Sequence, residues 1–254
     1  GAKVTIAPLD ATNGFSINRA LIEPVITSAT RVIVLVNPCN PTGRVYSLDE
    51  LQIIADLARE YDLLVISDEV YEEITYDTPH ISIASLPGMK ERTITLFAFT
   101  KAYAMDGWRL GYVAAAEVLM PPLMKITTND ATHVNTFIQY GALAAVTGDS
   151  SVLATLVARD RERRDYVVGR LNQMPGVTCA DVQGAIYAFP DITATGLHAQ
   201  ECADRLLRDT GVVVEAGSFY GTAGEGHLRV CFGCAELEVL ADAMDRMQRF
   251  FNSL

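Results

Sequence analysis

The chain has 254 residues, half of them hydrophobic and a fifth charged, with a formal net charge of −11. That content supports a substantial core in one large domain or two modest ones, and the acidic balance argues against coating nucleic acid or an anionic membrane. No stretch is apolar for long enough to span a bilayer, and no secretory signal opens the sequence. The five cysteines (Cys39, Cys179, Cys202, Cys231, Cys234) are scattered and odd in number, which fits reduced thiols in a cytoplasmic protein. Cys231 and Cys234 share a metal-ligand spacing but have no second pair, so no metal is expected.

In chain order, residues 31–36 (RVIVLV) are apolar and β-branched and read as a buried strand. A turn-rich stretch, 37–43, follows. Residues 47–61 have helical spacing, and Ser47 with Glu50 three residues on is a capping-box pattern. Residues 63–67 (LLVIS), 93–99 and 110–115 read as further strands. Strand, helix, strand in this order predicts an α/β fold, a mainly parallel sheet with helices on both faces.

The second half has a different texture. Pro121 and Pro122 punctuate it, 135–146 reads as a helix, and 151–174 is a long charged helical stretch that can link two domains. Short strands at 185–189, 212–214 and 227–232 alternate with helices, as in a smaller α+β domain. The last helix carries Leu237, Leu240, Met244, Met247 and Phe251 on one face. The expected domains are 1–150 and 151–254.

Four features lie at the ends of predicted strands, where ligands bind in open α/β sheets. The first is Asn37-Pro38-Cys39-Asn40-Pro41-Thr42-Gly43, a loop fixed by two X-Pro steps that holds the short amide of Asn40. The second is Ser67-Asp68-Glu69-Val70-Tyr71. Asp68 either faces a cationic ring nitrogen or caps the next turn; Tyr71 either donates to an oxygen of that ring or packs. The third is Thr100-Lys101, where desolvation and nearby cations favour the neutral amine that imine formation needs. Arg109 follows eight residues later in GWRLG, and its guanidinium suits a phosphate. The fourth is Arg229, set between Leu228 and Val230, which needs a carboxylate from the protein or from a substrate. A lone Lys or Arg is ordinarily solvated surface; the order of all these features carries the argument. His133, His198 and His227 show no ligand spacing, and His80, after Pro79, reads as solvated.

Through NPCNPTG, SDEVYEEITYD, FTKAYAMDGWRLGY, GAIYAFP and GEGHLRVCFG, the chain resembles the fold-type I, class I/II pyridoxal-phosphate aminotransferases over nearly its whole length. Aspartate and aromatic aminotransferases are nearest. The resemblance implies a large cofactor-binding domain and a smaller C-terminal one. It implies that Lys101 bonds to the aldehyde of pyridoxal 5'-phosphate and later shuttles a proton at the substrate's Cα. Asp68 pairs with the protonated pyridine nitrogen, Tyr71 and Asn40 donate to the phenolic oxygen, and Arg109 holds the phosphate. Arg229, with Asn40, holds the substrate's α-carboxylate; Gly217 and Tyr220 line the substrate side, or simply form a loop turn.

The implied reaction is transfer of an amino group between an amino acid and a 2-oxo acid. The same residues would also serve elimination, replacement or cyclisation, or half of a split enzyme. A non-catalytic ligand-sensing module is the reading from another class, but no helix-turn-helix or basic segment accompanies it. The resemblance departs at Ala98, where the family commonly has a Ser touching the phosphate. It also departs at the front, which the family reaches only after a long N-terminal segment. That segment supplies a glycine-rich phosphate loop, an aromatic residue stacked on the cofactor, and an arm that clasps the partner subunit. The expected protein partner is therefore a second copy or a chain supplying the missing part. Open apolar faces predict that the 254 residues alone are not a well-behaved monomer.

Overall fold

The β-branched runs of the first half become strands of one sheet. In the computed structural model, which describes residues 1–254, a short α1 (Arg19–Ile22) precedes β1 (Val32–Val36), α2 (Leu48–Glu60) and β2 (Leu64–Asp68). β3 (Thr93–Ala98) and β4 (Gly111–Ala115) follow, and the sheet order is β1-β2-β3-β4. β1, β2 and β3 are parallel, with Val36 level with Asp68 and Asp68 level with Leu96. The Ser47 hydroxyl accepts from the Glu50 amide while the Glu50 carboxylate accepts from the Ser47 amide, so α2 begins at its capping box. The other Glu50 oxygen accepts from the Ile17 amide at 2.9 Å. Helical spacing places Leu51, Ile54 and Leu57 on one fully buried face of α2. Burying each contributes about 1.5–3 kcal/mol.

β4 is antiparallel to β3. Residues 99–110 contain only one 3-10 turn (Asp106–Trp108) and no crossover helix, so the chain returns beside the strand it left. A Cβ at Gly111 would lie 2.6 Å from the Phe97 carbonyl oxygen; only glycine permits this approach. The expectation that 31–36 is a buried strand is corrected. β1 is a sheet edge, with Val34 68% exposed, because nothing covers its outer face. α3 (Met120–Asp130) starts with its prolines in the first turn and leads to α4 (Thr136–Thr147). Phe99, Met105 and Ala142 form a small buried cluster that packs the 99–110 loop against α4. Met124, Ile126, Phe137, Tyr140 and Leu143 are exposed.

The chain passes from a first unit to a second within α5 (Ser150–Leu171). Gly1–Ala7, Ile17–Pro38 and Val45–Val157 make up unit one; Pro8–Ser16, Cys39–Arg44 and Ala158–Leu254 make up unit two. A single cut at residue 150 does not describe this division, because two early stretches join the later unit. Gly43 explains one of them: its carbonyl accepts from the Gln183 and Gly184 amides at 2.9 and 2.8 Å. Its φ is +70°, and a Cβ there would lie 2.6 Å from Val182, so glycine is required.

Unit two also holds β5 (Tyr187–Ala188), α6 (Ala199–Thr210), β6 (Glu215–Ala216), β7 (Leu228–Cys231) and α7 (Leu237–Asn252). Its antiparallel sheet has the order β5-β7-β6. The strand expected at 212–214 is corrected to Glu215–Ala216. Gly211 caps α6 and the Val212 amide bonds back to the Thr210 hydroxyl, so the chain is still leaving the helix there. α7 buries Leu240, Met244, Met247 and Phe251, as its spacing predicts, and Phe250 as well, whereas Leu237 in its first turn is only partly buried. No single helix is long and apolar enough to cross a membrane.

Candidate active site

In unit one, the C-terminal ends of β2 and β3 supply the chemistry. Asp68 is the last residue of β2 and is partly buried. Its carboxylate accepts from the Val70 amide at 3.3 Å, so it does cap the next turn, but no cation pairs with it. Burial holds its carboxyl above the ordinary range, with the Glu69 charge adding. Tyr71 is buried, and the Lys101 ammonium lies 5.8 Å from the centre of its ring. That ring is the one partner of the Lys101 side chain. Arg109 is exposed, has a φ of +54°, and gives one hydrogen bond, to the Asp106 carbonyl at 3.1 Å. A left-handed arginine is uncommon and suits a residue held for a purpose other than packing.

The turn carrying Asp68 and Tyr71 is fixed from behind by a network that sequence reasoning missed. Glu69 is 1% exposed and accepts from the Ser67 hydroxyl at 2.7 Å and the Ser82 hydroxyl at 3.0 Å. Its other oxygen meets His80 Nε2 at 2.9 Å. The reading of His80 as solvated is therefore corrected: its side chain is 12% exposed, because a buried carboxylate draws it in. Asn37 lies 3.4 Å from His80 Nδ1 and accepts from the Tyr46 amide, and its own amide donates to the Asp68 carbonyl. With Nε2 donating to Glu69, Nδ1 is left as an acceptor for the Asn37 amide. The only sequence signal was an acid directly after a buried strand. Glu72, one residue past Tyr71, has a buried Oε2 with no hydrogen-bond partner. Burial, with the like charges of Glu73, Glu69 and Asp68 adding, pushes its carboxyl up to about 7. This turn accumulates negative charge and favours an arriving cation.

In unit two, Arg229 on β7 is the centre. Its Nη1 donates to Asn40 Oδ1 at 3.0 Å and its Nη2 to Glu215 at 2.5 Å. The guanidinium lies 4.3 Å from the Tyr187 ring centre and 5.3 Å from that of Tyr220. Tyr220 in turn donates to the second Glu215 oxygen at 2.6 Å. Burial pushes the Tyr220 phenol upward, and the bond it gives to Glu215 adds to this. Arg229 Nε is buried with no partner. Of the two anions an arginine here could meet, the protein supplies one, Glu215. The signal for it was an acid inside the apolar run VVVEAG. Asn40 keeps its amide nitrogen for another acceptor, since its oxygen faces Arg229. Gly217 is buried, close against the Gly224 and His227 carbonyls. His227, read as an ordinary residue, stacks on Phe189 at 4.9 Å.

Unit one thus offers an amine against a phenol ring, an unpaired carboxylate and an exposed guanidinium. That set complements a ligand with a cationic ring nitrogen, a carbonyl and a phosphate. An aspartate aminotransferase of Musicola paradisiaca is 42% identical over 247 residues, covering 96% of this chain and 62% of that protein. An aromatic-amino-acid aminotransferase of Thermococcus litoralis is 41% identical, covering 98% of this chain and 64% of that protein. The crystal structure of an aromatic aminotransferase from Pyrococcus horikoshii superposes with a TM-score of 0.93 at 40% identity, over 97% of this chain and 66% of that one. The chain therefore spans a little under two thirds of these curated relatives' length. The family described as aminotransferase class I and II matches residues 1–247, and the chain belongs to it.

Proposed function

We propose that this chain carries the lysine and most of the cofactor-facing residues of a pyridoxal-phosphate-dependent aminotransferase, acting on an amino acid and a 2-oxo acid. The residues fit the cofactor by their chemistry: Asp68 is a half-buried carboxyl without a cation, and Arg109 a guanidinium without an anion. When bound, the cofactor supplies an electron-withdrawing ring that accommodates the electron pair released at the substrate's Cα. Asp68 would hold the proton on the ring nitrogen, and Tyr71 would donate to the phenolic oxygen. Arg109 would hold the phosphate. Lys101 Nζ would hold the cofactor at its aldehyde, and the same amine would serve as the general base for the proton at the substrate's Cα. The proposed role of Arg229 is to orient the substrate's carboxylate. Asn40 supports it through its oxygen and donates through its amide nitrogen to a ligand oxygen.

The observation that carries this reading is the Lys101 ammonium over the Tyr71 ring, on the loop leaving β3, with Asp68 unpaired at the end of β2. Borohydride reduction of the chain mixed with pyridoxal phosphate, followed by peptide mapping, tests it. The label is expected on the peptide 93–109, which contains Lys101, and a 2-oxo acid is expected to form from the productive amino acid. Labelling spread over Lys3, Lys90 and Lys125 instead would remove the basis for the assignment. The unpaired cysteines fit a cytoplasmic setting. The exposed apolar side chains of α3 and α4 support a second copy or a complementing chain as partner. Sedimentation of the chain alone is expected to show association, and a clean monomer counts against that partner.

A further inference from the structure

Cys231 and Cys234 play no part in the function proposed above, and their surroundings differ from those of the other cysteines. Cys231 is the last residue of β7, two positions after Arg229 and partly buried like it, while the alternate residues Leu228 and Val230 are buried. Phe232 is fully buried and anchors the chain, which then turns through Gly233 so that exposed Cys234 comes back to its partner. The Cys234 sulfur lies 3.5 Å from the Cys231 carbonyl oxygen, so the turn folds the second cysteine back onto the first. Arg163, on α5, adds positive charge near Cys234 while pairing with Asp160 and Glu236. Cys179 and Cys202 are buried.

We propose that Cys234 and Cys231 form a peroxide-reactive dithiol, in which exposed Cys234 is oxidised first and Cys231 closes the intramolecular disulfide. The hydrogen bond from Cys231 holds the Cys234 thiol down to about 6, with Arg163 assisting. Giving that bond, together with burial, keeps the proton on Cys231. The division suits a nucleophile and a resolving thiol. The Cys234 thiolate attacks one oxygen of a hydroperoxide, the O–O bond breaks, and the leaving hydroxide takes up a proton as water. Cys234 is then a sulfenic acid. Cys231 sulfur, losing its proton, attacks Cys234 sulfur, the S–O bond breaks, and a second water leaves. In total, two thiols and one hydrogen peroxide give one disulfide and two waters; the sulfurs lose two electrons and the peroxide gains them.

The experiment uses the reduced whole chain, hydrogen peroxide, alkylation of remaining thiols, and mapping of the tryptic peptide 230–246, which holds both cysteines. That peptide is expected to lose about 2 Da, reversibly by a thiol reductant. It should react at least roughly tenfold faster than Cys179 or Cys202, whose thiols burial pushes up to about 12 and about 11. In Cys231→Ser, a dimedone adduct is expected at Cys234; in Cys234→Ser, Cys231 is expected to stay reduced. Peptide 230–246 unchanged while Cys39, Cys179 or Cys202 oxidises would overturn the proposal. So would an adduct on Cys231 with Cys234 intact. The mapping of the unmodified sequence decides the matter even where a variant folds poorly.

Discussion

The two units treat their candidate charges in opposite ways. In unit one, Asp68 has only a backbone amide, Arg109 only a backbone carbonyl, and Lys101 only a phenol ring. In unit two, Arg229 already has a carboxylate, an amide oxygen and two aromatic faces. Asp68 and Arg229 are both partly desolvated, where an unmatched charge is costly. On the proposed function, unit one would take its complement from a ligand, whereas unit two has one built in that a ligand would share. A cofactor site and a substrate anchor are expected to differ in this sense: one group stays bound, the other exchanges.

The largest expected effect tests the unmatched side. Asp68→Asn is expected to weaken binding of pyridoxal phosphate roughly 30-fold or more, the scale of losing one partner of a buried charge pair; a spectroscopic titration measures it, and an unchanged affinity would place the ring elsewhere. Arg109→Ala is expected to weaken pyridoxal phosphate roughly tenfold or more while leaving pyridoxal, which lacks the phosphate, nearly unaffected. Equal losses for both ligands would deny Arg109 its phosphate.

Glu72 sharpens the comparison through pH. Its folded carboxyl, at about 7, lies above the ordinary 4.5. The folded state therefore binds more protons in that window, and this group's contribution to stability falls as pH rises from 4.5 through 7. Glu72→Gln is expected to raise stability by about 1–2 kcal/mol at pH 8 after allowance for solvent screening, and by nothing at pH 4. Urea midpoints at both pH values measure it, and an equal shift at each would point to packing instead. The smallest effect is expected on the matched side. Glu215→Gln removes the built-in anion, so a simple dicarboxylate such as succinate is expected to bind about threefold tighter; calorimetry reads the change, and weaker binding would mean that Glu215 only holds Arg229 in place.

Much of this was legible in the sequence where one residue type has one local meaning. Ser47 and Glu50 announced the start of α2, and β-branched runs announced the sheet. What escaped was set by contacts distant in sequence. The antiparallel return of β4 had a signal, a loop too short for a crossover helix, but strand propensity carries no direction. The pairing of His80 with Glu69 spans eleven residues and depends on a turn that brings a proline-preceded loop inward. Arg229 plainly needed an anion, yet the choice of Glu215 depended on β6 beginning there and not at 212–214. Cys39–Arg44 joins the later unit through Gly43 and the amides of residues 183 and 184, which no local pattern reveals.

The neck of the 99–110 loop carries one more consequence. Ala98 is level with Gly111, and the Phe99 amide reaches the Leu110 carbonyl at 3.2 Å, so Lys101 and Arg109 leave and return through one hinge pin. A methyl group at Gly111 would strike the Phe97 carbonyl and lever both side chains away together. This glycine, which carries no functional group, is thus a shared point of failure for Lys101 and Arg109.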